Sequence, residues 1–130
     1  MKRLTAIALV LVLATALCIP CAGAVTASDR DAFNNWVDCL NAHMRELVAT
    51  YKRTGTLSEA ELRDLSYMEI AILADNAVTF GWRGDSESAE DCVQLAEAAT
   101  ASYNNYKAGT MTRDAYLNLL ISIAEIIIGD

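Results

Sequence analysis

Apolar residues recur every three to four positions through most of this chain, and the breaks in that rhythm predict four helical segments behind a mostly apolar leader. In the first segment Phe33, Trp36, Val37, Leu40, Met44, Leu47, Val48 and Tyr51 share one face, with Ser28 as the expected N-cap and Gly55 as the stop after about Arg53. The second opens on a capping box, Ser58 with Glu61, between the staple residues Leu57 and Leu62, and is expected to end near Phe80, before Gly81. Trp82-Arg83-Gly84-Asp85 reads as a turn, after which Asp85 or Ser86 caps a third helix to about Lys107. The inward face of that helix, Ala89, Cys92, Ala96, Ala99 and Tyr103, is mostly small, which permits close approach of a neighbour. A fourth helix is expected from near Thr112 to Ile128. Ten of the 13 residues from Tyr116 onward are apolar, and Asn118, Ser122 and Glu125 form one narrow polar stripe, so most of its circumference requires burial.

The expected fold class is therefore all-α, four helices forming two helical hairpins in a bundle or as stacked hairpins, in a single domain over residues 28–130. Gly55-Thr56-Leu57-Ser58 and Gly109-Thr110-Met111-Thr112 are similar strings 54 residues apart, each after a Tyr-Lys pair, and Cys39 and Cys92 lie 53 apart. That spacing fits either duplication of a hairpin or convergent turn chemistry. Under duplication the two cysteines stand at matching heights on the first and third helices. Because a disulfide requires Cα atoms about 4.4–6.8 Å apart, a Cys39–Cys92 bridge favours adjacent first and third helices over a square bundle bridged across its diagonal.

The leader fixes the compartment. Lys2 and Arg3, the apolar run from Leu4 to Ile19, Pro20 and then Ala22-Gly23-Ala24 have the three-part layout of a secretory signal peptide over residues 1–24, cut after Ala24 or alternatively after Ala27. The run is also long enough for a retained anchor, but Pro20 and the small-residue site favour cleavage. Neither Cys18, after Leu17, nor Cys21, after Pro20, has the small preceding residue that lipidation needs. The mature protein is expected in the periplasm or the medium, with no membrane span.

Cleavage removes two of the 10 basic residues and none of the 17 acidic ones, leaving a net charge of −9. Such a balance disfavours nucleic acid and anionic lipid as partners and favours a basic protein, a cationic ligand or plain solubility. Only Cys39 and Cys92 remain, and in an oxidising compartment an even pair is expected to bridge. Closing that loop would stabilise the fold by about 4 kcal/mol in the chain-entropy model.

Candidate chemistry is sparse. His43, the only histidine, follows Cys39 by one turn, too small a ligand set for a metal site. No nucleophile elbow, phosphate loop or haem motif occurs, so no catalytic residue, metal or cofactor is assigned. Arg83-Gly84-Asp85 resembles the integrin-binding tripeptide of adhesion proteins, but a turn glycine followed by a capping aspartate explains the same letters. Glu69 and Asn76 project into the apolar sector of the second helix, with Glu125 as a possible neighbour from the fourth. Such residues more often sit at a helix margin with their heads in water, the alternative being a polar pocket.

Three function classes remain. The first is an exported, non-enzymatic module of the inhibitor, immunity or chaperone type that binds another secreted or envelope protein, with Trp82, Asp85, Glu87, Glu90 and Asp91 as candidate contact residues. The alternative is a small-molecule carrier whose apolar pocket uses Glu69, Asn76 and Glu125, with a structural envelope protein third.

Overall fold

A computed structural model describes residues 27–129 as four helices without strands: α1 (Ala27–Thr54), α2 (Glu59–Trp82), α3 (Ser86–Lys107) and α4 (Arg113–Ile128). The leader expected over residues 1–24, with Cys18 and Cys21, lies outside the described residues. The local signals act largely as the sequence implies. Ser58 Oγ accepts from the Glu61 amide at 3.2 Å while the Glu61 carboxylate accepts from the Ser58 amide at 2.7 Å, closing the capping box of α2. Asp85 caps α3 and Thr112 caps α4 by accepting from the amides three residues on. Two boundaries differ: Ser28 lies inside α1 rather than before it, and α2 continues through Gly81 to Trp82.

The two glycine turns are alike in conformation as well as in letters. Gly55 and Gly109 both sit at φ +75°, a region that side chains with a Cβ rarely adopt, and each is followed by a hydroxyl cap. Both turns meet at one end of the bundle. Arg113, at the start of α4, donates from Nε to Glu59 at 2.7 Å, from Nη1 to Thr56 Oγ1 at 3.3 Å and from Nη2 to the Leu57 carbonyl. The Tyr106 hydroxyl also donates to Glu59, at 3.1 Å. The Arg113 guanidinium, followed by Tyr106, holds the Glu59 carboxyl below its ordinary range.

These bonds make α2 and α4 parallel, and apolar burial makes them central. One apolar cluster joins Met44, Leu47 and Val48 of α1 to Leu65 and Ile72 of α2 and to Leu120 and Ala124 of α4. A second joins Leu73 and Ala77 of α2 and Ile123 of α4 to Cys92, Ala96 and Ala99 of α3. Thus α2 and α4 feed both clusters, whereas the fully buried members from α1 belong only to the first and those from α3 only to the second. The closest helix pair is α2 with α3, where Leu73 and Ala77 share one apolar cluster with Cys92, Ala96 and Ala99.

The expected adjacency of the first and third helices is thereby corrected. Among the described residues no Cα of α1 comes within 8 Å of one in α3. A helix as apolar as α4 needs neighbours on three sides, and it takes α1, α2 and α3, which places α1 and α3 at opposite corners of a rhombus. The Cys39–Cys92 bridge is accordingly not formed: Cys39 is exposed on α1, Cys92 is buried against α2, and both are free thiols. The polar stripe of α4 meets the flank of α1, where the Tyr51 hydroxyl donates to Asn118 at 2.9 Å and Lys52 pairs with Glu125 at 3.2 Å. Arg45 donates to the Ile128 carbonyl at 3.2 Å, so α1 runs antiparallel to α4.

Candidate functional site

Two places in this frame hold side chains beyond what packing requires. The first is internal. Glu69 follows Leu65 by four residues and precedes Ile72 by three, so the periodicity that buries α2 turns its carboxyl into the seam with α4. It is 0% exposed, and neither carboxyl oxygen has a hydrogen-bond partner. Ser66 Oγ and the Tyr116 hydroxyl share that condition. Burial pushes the Glu69 carboxyl up to about 10 and the Tyr116 phenol up to about 12. Glu69 is therefore a neutral acid at pH 7. Tyr106 of α3 stacks on Tyr116 with centroids 4.8 Å apart, roofing the cluster with aromatic carbon. A carboxyl sealed in this way cannot exchange a proton with a substrate, so the cluster bears on stability rather than on acid–base chemistry.

The second place is external, at the end opposite the glycine turns. The first half of α1 diverges from the bundle across the second half of α2, and the two enclose a groove of about 510 Å³. Phe33, Val37 and Asp38 line it from α1, and Asp75 and Phe80 from α2, with Arg83 where α2 stops. Asn34, Asn76 and Thr79 add neutral hydrogen-bonding groups. Burial raises the Asp75 carboxyl above its ordinary range.

Around the groove stand the exposed aromatics. Phe33 and Trp36 pack together with centroids 5.9 Å apart, yet Trp36 remains 48% exposed, and Trp82 is 71% exposed on the α2–α3 turn. Asp31 near the start of α1, and Asp85, Glu87, Glu90 and Asp91 at the start of α3, are exposed. No family model, curated protein or solved structure matches this chain. The arrangement must therefore be read from its own chemistry. Among the described residues no helix is long and apolar enough to cross a membrane.

The residues singled out in the sequence are redistributed. Trp82, Asp85, Glu87, Glu90 and Asp91 do lie together at one end, although Asp85 is also engaged as the α3 cap. Glu69, Asn76 and Glu125 do not form one site. Glu69 is in the α2–α4 seam, Asn76 lines the outer groove, and Glu125 pairs with Lys52 at the α1–α4 margin. The commoner fate expected for Glu69, a margin position with its head in water, is also overturned, because α4 covers it. His43 stands on an exposed flank 3.5 Å from Glu46.

Sequence reasoning passed over Asp38, Asp75, Ser66 and Tyr116. A signal for the groove was present in Asp75, Asn76, Thr79 and Arg83, which recur at near-helical spacing where the apolar sector of α2 fades. No comparable signal marks Tyr116, since a tyrosine at the head of an apolar helix is ordinary core composition.

Proposed function

We propose that the chain is an exported, non-enzymatic interaction module that binds another secreted or envelope protein through the end of the bundle where α1 begins and α2 turns into α3. The observation that carries this reading is the concentration there of exposed aromatic side chains, Phe33, Trp36 and Trp82, within a collar of carboxylates. Aromatic anchors are the side chains that dominate protein–protein binding energy, and exposed ones at a single end, rather than scattered singly, mark a contact surface. The collar selects for a basic partner and speeds encounter with it. Export rests on the leader pattern, and the absence of catalytic motifs in the sequence favours binding over turnover. The carrier alternative loses its polar contacts, because its three residues occupy three separate places.

Photo-cross-linking in the producing cell tests the proposal. With benzoylphenylalanine in place of Trp36 or Trp82, both positions are expected to capture one and the same protein. Tyr67, equally exposed but on the outer face where it meets Tyr103 at 6.4 Å, is expected to capture none. Equal capture from all three positions, or none from Trp36 and Trp82, would overturn it.

A further inference from the structure

The α1–α2 groove holds charges that nothing within it neutralises. Asp38 stands on the α1 side, Asp75 on the α2 side and Arg83 at the end of α2, and none of the three forms an ion pair with any of residues 31–129. Two carboxylates and one guanidinium leave the lining with a net negative charge. Elsewhere on the surface Lys52 pairs with Glu125 and Arg113 with Glu59 across helices.

The walls suit one kind of occupant. Phe33 and Phe80 offer apolar and π surface to an aliphatic stem or a guanidinium face, while Asn34, Asn76 and Thr79 can accept the remaining donors of a cationic head. Asp75 is half-buried, and a carboxylate so placed attracts a cation more strongly than one surrounded by water. The volume of about 510 Å³ exceeds the needs of a bare ammonium ion and accommodates a long basic side chain with part of the backbone that carries it. The groove also runs into the exposed aromatic end through Phe33 and Arg83, which neighbours Trp82, so one docked surface would cover both.

We infer that the α1–α2 groove seats a lysine or arginine side chain presented by the partner protein, with Asp38 and Asp75 as its counter-charges. This rests on the interaction reading above and assigns the part of the surface that selects the partner.

The test uses the ¹⁵N-labelled exported protein and a capped octapeptide alternating lysine and leucine, with its glutamate-for-lysine counterpart as control. The lysine peptide is expected to shift the amides of residues 33–38 and 75–83 saturably, and the glutamate peptide to leave them unmoved. Asp38→Asn with Asp75→Asn together should weaken the lysine peptide roughly tenfold or more, the scale of losing a desolvated charge pair. Glu97→Gln with Asp114→Asn, exposed carboxylates outside the docking end, should leave its affinity unchanged. Unchanged binding by the Asp38/Asp75 variant with its melting temperature intact, shifts spread evenly over the acidic surface, or no saturable shift at millimolar peptide would each overturn the assignment. Cross-links at Trp36 and Trp82 that persist in that double variant would overturn the groove while leaving the interaction reading standing. Their absence from the otherwise wild-type protein would overturn the interaction reading itself.

Discussion

Replacing Glu69 with glutamine is expected to stabilise the protein at neutral pH by roughly 3 kcal/mol, raising its melting temperature by roughly 10–20 °C for a domain of this size. The sign follows from where the proton resides. In the folded chain the carboxyl is held neutral until about pH 10, whereas in the unfolded chain it ionises near its ordinary value of 4.5. The stability associated with this group is thus fully present below pH 4.5 and is lost as the pH rises toward about 10, at about 1.4 kcal/mol per pH unit. Glutamine keeps the shape and the buried polar head but cannot ionise, so wild type and Glu69→Gln should melt alike near pH 4.5 and diverge steadily above it. Leucine at the same position should gain further, because no unpartnered oxygen remains in the α2–α4 seam. Glu59, Glu61 and Asp85 act in the opposite sense, their lowered pKa values supporting the fold above the ordinary carboxylate range and ceasing to do so in acid. Melting curves for both proteins at pH 4.5, 7 and 9 decide the matter. Parallel pH dependence in the two would mean that Glu69 reaches water.

A substitution at the closest helix contact should act in the other direction. Ala99 is 0% exposed where α3 packs with α2, in the cluster that also holds Leu73 and Ala96, and the approach of those helices depends on the missing side-chain volume. Ala99→Leu forces either an off-rotamer leucine or separation of α2 from α3, at a cost of about 1–3 kcal/mol. Ala98→Leu, one residue away on the exposed face, adds the same atoms at a helical position of similar propensity and should change stability by less than about 0.5 kcal/mol. Urea denaturation of the two variants beside wild type measures the difference. Equal midpoints would contradict the intimate α2–α3 contact.

Local structure was legible in the letters because its determinants are local. Ser58 with Glu61, Thr112, and the glycines at 55 and 109 specify caps and turns within a few residues, and the structure builds them there. The three-to-four residue period likewise put Met44, Leu47 and Val48 on one face of α1, and all three are in the core. What the period does not carry is which helix stands opposite which face. Cys39 and Cys92 matched in height under the apparent repeat, but neighbour choice was decided by the nearly all-round apolarity of α4, which drew α1 to one side and left α3 on the other. The same missing information hid the candidate site. Asp38 and Asp75 lie 37 positions apart and become one groove only when α1 crosses the end of α2. Glu69 was visible as an anomaly in its sector, yet its burial depended on α4 covering it.

The placement of α1 against α2 and α4, away from α3, underlies both the groove and the docking end, and thiol chemistry tests it most directly. Protein purified without reductant is alkylated while folded, then unfolded and alkylated with a heavier reagent, and its intact mass and peptides are read. Cys39, exposed on α1, should carry the first reagent and Cys92, buried against α2, the second, with no hydrogen lost to a bridge. A mass two hydrogens light, with the Cys39 and Cys92 peptides joined, would contradict the arrangement, since a disulfide brings its Cα atoms within about 6.8 Å and α1 and α3 would have to be neighbours.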